Sequence, residues 1–164
     1  MKYIIIIFLF LYNLNAAIAC DCKGLTVEES FNSSSQVVLG EIIKVEHKIY
    51  IIDKESKDSI QQRYERLVRN DTIHYVEYTV QVFKNYKDSL KTSKLILRAN
   101  ADRSNCDLKL ELGVTYMIYG YDNWWGNLYY PKDKYFILSS ICTRTTKHWK
   151  KELEELEAYL RENN

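Results

Sequence analysis

The chain has 164 residues, the size of one domain, and its 46% hydrophobic and 27% charged residues are the composition of a chain that folds. Five glycines and one proline exclude collagen-like, low-complexity and Gly-rich linker architectures. Lys2 is the one charge in the first 19 residues, so the remainder balances at 22 basic against 22 acidic side chains, which disfavours an electrostatic nucleic-acid partner.

The amino terminus reads as a targeting segment. Lys2 supplies a short positive region, Ile4 to Leu11 an apolar core, and Ala17-Ile18-Ala19 the small-x-small pattern that signal peptidase reads. The apolar stretch is short for a bilayer span and has no stop-transfer flank, so no transmembrane span is expected. Residues 1–19 are then a signal peptide, and residues 20–164 form one exported domain beginning at Cys20. Ala17-Ile18-Ala19-Cys20 also partly matches the bacterial lipoprotein cleavage box, without its usual Leu. Lipid anchoring of Cys20 at the cell envelope is therefore the competing reading, and the one route to a membrane.

Cys20, Cys22, Cys106 and Cys142 are an even set in an exported chain, which favours two disulfides. Lipidation of Cys20 would leave an odd three. Three connectivities are open. A Cys20–Cys22 bond would close a small strained ring, whereas either of the other two would cross-link the Cys-x-Cys terminus to distant segments. Each such loop is worth roughly 4 kcal/mol in the chain-entropy model.

Further along, Thr26-Val27-Glu28-Glu29 reads as a capping box opening a short helix, with Val27 and Phe31 on one edge and Asn32 to Ser35 ending it. Val37 to Glu46 reads as a strand, buried on both faces at first and then alternating. Asp53 to Asp71 is a charge-rich interruption in which Ile60, Tyr64, Leu67 and Val68 fit either a surface helix or the tip of a β-ribbon. Strand patterns resume at Ile73 to Phe83, where Tyr75, Glu77, Thr79 and Gln81 alternate against Val76, Tyr78, Val80 and Val82. Leu95 to Leu97, Val114 to Tyr121 and Tyr135 to Ile141 complete the series, with a turn at Asp122 to Asn127. From Thr146 to Arg161 the period becomes helical, with Trp149, Leu153, Leu156 and Leu160 on one face. Fourteen tyrosines reinforce the β character, since aromatic side chains suit a half-buried pleated surface. The expectation is a mainly β domain: a closed β-barrel with a short leading helix and a final amphipathic helix packed on it.

Enzyme signatures are missing from this pattern. His47, His74 and His148 are scattered with no zinc-ligand spacing, and no phosphate loop, nucleophile elbow or His-Glu-x-x-His is present. The carboxylate pairs Glu28-Glu29 and Glu154-Glu155 sit on helix faces, where solvated charge explains them. No enzymatic activity and no cofactor are expected. Trp124-Trp125 with Tyr121, Tyr129 and Tyr130 is an aromatic cluster around a turn, read first as cross-strand packing and second as a contact surface for a partner or glycan.

An exported chain opening on Cys20-Asp21-Cys22, a short helix ending in Phe31-Asn32, then Val37-Val38, and later Ser104-Asn105-Cys106 and Cys142, resembles the tissue inhibitors of metalloproteinases. The likeness runs from Cys20 to about Cys142 and is greater to the bacterial, single-domain members than to the two-domain animal inhibitors. Asn32 stands where those inhibitors carry a third amino-terminal cysteine. The resemblance implies a netrin-like module, an OB-fold-type barrel, with disulfides Cys20–Cys106 and Cys22–Cys142. It also implies a secreted or periplasmic monomer that inhibits zinc metalloendopeptidases. The α-amine and carbonyl of Cys20 would chelate the protease zinc, with Asp21, Cys22, Ser104, Asn105 and Cys106 as the contact set. Asp21 would point at the specificity pocket beside the zinc, where a carboxylate loses hydration, so weak or selective inhibition is expected. The alternative is a netrin-like surface or secreted binding module without inhibitory activity.

Overall fold

A computed structural model describes Cys22 and residues 24–51, 72–87, 92–101, 107–122, 130–131 and 133–163. Helix α1 (Val27–Ser33) begins at the expected capping box: the Thr26 hydroxyl accepts from the Glu29 amide, and the Glu29 carboxylate accepts from the Thr26 amide at 2.9 Å. The Lys87 ammonium donates to the Phe31 and Asn32 carbonyls at its other end, where orphan acceptors and the negative pole of the helix favour a cation.

Five strands follow: β1 (Gln36–Ile51), β2 (Thr72–Asn85), β3 (Lys94–Asn100), β4 (Thr115–Gly120) and β5 (Ile137–Leu138). They form one sheet in the order β4-β1-β2-β3-β5. β1 and β2 make a long antiparallel ribbon whose bulges at Leu39/Gly40 and Ile42/Lys44 increase its local twist. β4 covers the outer edge of β1 only from Gln36 to Glu41, β3 lies antiparallel to β2, and β5 runs parallel to β3. Helix α2 (Trp149–Glu162) closes the described chain.

The domain is mainly β with two helices, as expected, and among the described residues its five strands form a curled half-barrel. Among the described residues one bridge, Tyr121–Leu138, joins the residue just past β4 to β5. Of the expected Tyr135–Ile141 strand, Ile137 and Leu138 alone enter the sheet, because the hydroxyl-bonded turn at Ser140–Thr143 bends the chain away. The final helix also starts later than its pattern, at Trp149, because Thr146 is held in a bridge to Met117. The charge-rich stretch 53–71, whose two readings were a helix and a ribbon tip, lies outside the described residues.

Three apolar clusters explain the sequence pattern. Inside the curl lie Val38, Ile42, Val76, Tyr78, Val80, Leu95, Leu97, Ile118 and Ile137. On the opposite face of β1 and β4, Val37, Met117 and Tyr119 pack against Val27 of α1 and Leu156 of α2. The run Val37-Val38 is thus apolar on both sides because both sides are covered. A third cluster, Ile73, Tyr75, Tyr130 and Phe136, forms where the chain around residues 130–138 folds over β2 and β3.

Gly40 sits where β1 bulges against β2. A Cβ there would stand 2.6 Å from Val80 Cγ1 and 2.7 Å from the Gln81 carbonyl oxygen. A backbone oxygen cannot rotate aside, so the ribbon would have to part. Gly40→Ala is expected to cost about 1–3 kcal/mol, read as a lower urea midpoint with an unchanged slope. An unshifted midpoint would show that the bulge absorbs the methyl group.

Candidate functional site

The described part of the expected contact set is its anchor. Cys22 and Cys142 are joined by a disulfide, with Cα atoms 5.0 Å apart across a sequence separation of 120. Cys142 sits at the exposed end of a turn held by hydroxyls. Ser139 Oγ donates to the Tyr119 carbonyl (3.1 Å) and lies 2.7 Å from Thr143 Oγ1 and 3.0 Å from Thr145 Oγ1. The Thr143 hydroxyl donates to the Ser140 carbonyl at 2.7 Å, and the Cys142 amide donates to the Ser140 hydroxyl at 3.2 Å. The sequence Ser139-Ser140-Ile141-Cys142-Thr143-Arg144-Thr145 builds this turn because short hydroxyl side chains bond nearby backbone groups without needing a helix or strand.

Two residues after Cys142, the Arg144 guanidinium spreads over three acceptors. Nε donates to Glu152 Oε1 (2.5 Å), NH2 to Glu155 Oε2 (2.5 Å) and NH1 to the Leu25 carbonyl (2.9 Å). Glu152 is buried and also accepts from the Tyr119 hydroxyl at 2.7 Å. Burial, and then the Glu152 carboxylate, push the Tyr119 phenol well above its ordinary range, so it stays a donor. Burial works against the charge on Arg144, but its bonds to Glu152 and the charge of Glu155 outweigh this and hold it ionised. Glu155, read from sequence as solvated, is therefore a working partner of Arg144, and also of Lys151 one turn away at 3.8 Å.

Asn32 accepts from the Tyr159 hydroxyl of α2 at 3.2 Å, while the Phe31 and Tyr159 rings lie 5.7 Å apart.

Cys20, Asp21, Ser104, Asn105 and Cys106 lie outside the described residues, and so does the second bond that the resemblance implies, Cys20–Cys106. Their neighbours are described. The Ala101 amide donates to the His74 carbonyl (3.0 Å) just after β3 ends, and the Leu108 carbonyl accepts from the Tyr78 hydroxyl at 2.9 Å. Asn100 and Asp107, which bracket that segment, line a cleft of about 580 Å³ with Val45, His47, Val76 and Tyr78. The Ser139 amide donates to the Arg98 carbonyl at 3.3 Å, so the strand leading into Cys142 leaves the sheet beside the end of β3.

A second polar cluster had no local signal in the sequence. Glu77 and Arg98 are both buried, on neighbouring strands beneath the chain at residues 130–136. Arg98 Nε donates to Glu77 Oε2 (2.8 Å), NH1 to the Pro131 carbonyl (2.6 Å) and NH2 to Asp133 Oδ1 (2.7 Å). Lys48 and Lys134 each donate to Glu77 Oε1 at 2.7 Å, and the Phe136 ring lies 4.2 Å from the guanidinium carbon. The buried side-chain nitrogens and oxygens of Arg98 and Glu77 all find partners in this cluster, which closes over the third apolar cluster.

The three histidines are exposed. No group of three or more His, Cys, Asp or Glu among the described residues is arranged to hold a metal ion, and none of the described helices is long and apolar enough to cross a membrane. Tyr130 of the aromatic turn is buried, edge-on to Tyr75 at 5.2 Å and to Phe136 at 5.8 Å, which makes it core rather than a contact surface. Trp124, Trp125 and Tyr129 lie outside the described residues. No protein-family model matches the chain, and no curated protein matches it.

Proposed function

We propose that this chain is an exported inhibitor of zinc metalloendopeptidases, built as a netrin-like, OB-fold-type module of the tissue-inhibitor kind. The observation that carries the reading is the Cys22–Cys142 disulfide. It ties the segment just after Cys20 to a rigid turn on the body of the domain, beside the end of β3. An α-amine and carbonyl chelate a metal well when they are presented without having to be ordered first, because immobilising a free terminus is a cost taken out of binding. Cys20 would supply both ligands to the protease zinc and displace the water that attacks the substrate. Asp21, Ser104, Asn105 and Cys106 would flank it, and the metal belongs to the partner. A disulfide across most of the domain also fits an oxidising compartment outside the cytosol.

The test compares two forms of the oxidised chain, one beginning at Cys20 and one with a single alanine ahead of it, each verified by intact mass. Both are assayed against a panel of zinc metalloendopeptidases with peptide substrates. The free-amine form is expected to inhibit at least one member, and the extended form to lose tenfold or more, about 1.4 kcal/mol. Asp21→Thr should tighten inhibition by roughly tenfold, since it removes a carboxylate that must be desolvated at the pocket beside the zinc. Equal inhibition by both forms would overturn chelation through Cys20. Inhibition of no protease by either form would leave the binding-module reading.

A further inference from the structure

The disulfide by itself is a poor positioning device. It fixes one distance between two side chains, and several rotatable bonds lie along that bridge. The structure contains a second attachment nearby. Leu25 is three residues after Cys22 and Arg144 two residues after Cys142, and the guanidinium holds the Leu25 carbonyl at 2.9 Å. Thr26 then enters the capping box of α1. Cys22 and Leu25 are thus both tied to the Cys142–Arg144 turn, one covalently and the other by a charge-assisted bond.

Arg144 performs this role because its own position is determined elsewhere. Glu152 and Glu155 of α2 take its other two edges, and Glu152 is in turn fixed by the Tyr119 hydroxyl in the second apolar cluster. Three acceptors spread around one plane suit a guanidinium fork, whereas an ammonium would satisfy them as a point charge with less directional control. We propose that Arg144 is a positioning residue: it ties Leu25, and with it the chain next to Cys22, to the carboxy-terminal helix, and so supports the presentation of Cys20 that the proposed function requires. Its role in inhibition rests on the function proposed above; the clip itself does not.

Two attachments that close the same loop reinforce one another, because each forms at the high effective concentration created by the other. The coupling is reciprocal. Loss of the Arg144 clip should therefore make the Cys22–Cys142 bond easier to reduce, independently of any protease.

The experiment uses the full exported chain beginning at Cys20. The Cys22–Cys142 dithiol–disulfide equilibrium is measured in graded dithiothreitol buffers by alkylation and peptide mass mapping. Wild type is compared with Arg144→Ala, Arg144→Lys and Leu160→Ala, the last a change in the same helix outside the clip. Arg144→Ala is expected to shift the equilibrium towards the dithiol by about tenfold, Arg144→Lys to recover part of it, and Leu160→Ala to leave it near wild type. An unchanged equilibrium in Arg144→Ala, or an equal shift in Leu160→Ala, would overturn the clip. With the disulfide intact, Arg144→Ala should also raise the inhibition constant by about tenfold against any protease that wild type inhibits, with partial rescue by Arg144→Lys. Unchanged inhibition by the oxidised variant would overturn the positioning role. If wild type inhibits nothing, the inhibitor reading fails and the positioning of Cys20 for chelation fails with it, while the reduction equilibrium still decides the clip.

Discussion

Replacing Glu77 with Gln is expected to destabilise the domain by about 3–5 kcal/mol at neutral pH, because it leaves the buried Arg98 with the carboxylate of Asp133 alone and turns the charged acceptor shared by Lys48 and Lys134 into a neutral amide. Burial taken alone would raise the Glu77 pKa. The bonds from Lys134, Lys48 and Arg98 outweigh burial and bring it down from 4.5 to about 2. A folded-state pKa below the unfolded value stabilises the fold above the unfolded pKa and ceases to do so as pH falls through the folded one. The contribution of Glu77 is therefore complete above about pH 4.5 and lost on acidification towards pH 2, and it amounts to about 3 kcal/mol. Urea unfolding of wild type and Glu77→Gln at pH 7, 4 and 2.5 should show a gap that narrows with acid. A constant gap would mean that shape and not charge is lost. The double variant Glu77→Met with Arg98→Met should cost less than Glu77→Gln, since an apolar pair strands no charge. If the double variant costs the sum of the two single changes, the residues are not coupled.

Removing the Cys22–Cys142 disulfide as the double variant Cys22→Ala, Cys142→Ala is expected to lower stability by about 2–5 kcal/mol. The loop it closes spans a sequence separation of 120, near the upper end of what a single cross-link contributes by restricting the unfolded chain. Changing both partners avoids a lone thiol that could mispair with the remaining cysteines. The loss should appear in the unfolding midpoint of the oxidised proteins and vanish when both are compared under full reduction. A midpoint that stays put under oxidising conditions would mean that the Arg144–Leu25 contact and the capped helix hold this end of the chain without the covalent bond.

The position of Arg144 illustrates how far the sequence could be read. Thr26-x-x-Glu29, the buried run at Val37, the alternation from Ile73 to Phe83 and the face Trp149-Leu153-Leu156-Leu160 all announced their elements correctly, because capping and periodicity are fixed by backbone geometry over a few residues. Residue types alone left three cysteine pairings open, and the Cys22–Cys142 bond was specified by the resemblance. Arg144 carried no such mark. It sits in a hydroxyl-rich turn, and its acceptors are Glu152 and Glu155 on one side and a carbonyl 119 residues away on the other.

Glu77 and Arg98 make the same point about burial. In the sequence Glu77 reads as one member of a polar row facing away from Val76 and Tyr78. It is buried because Tyr130, Pro131 and Phe136 fold over that row, and the same fold brings Lys134 and Asp133 to neutralise what it covers. The sequence by itself therefore determined where the longer strands and the two helices lie, which faces are apolar and which cysteines were available to bond. The tertiary structure alone decided that the described sheet curls into a half-barrel, which charges are buried and which side chain holds the Leu25 carbonyl. Periodicity is a property of neighbours along the chain, whereas a buried charge is stable only beside a partner, and these partners come from far away in sequence.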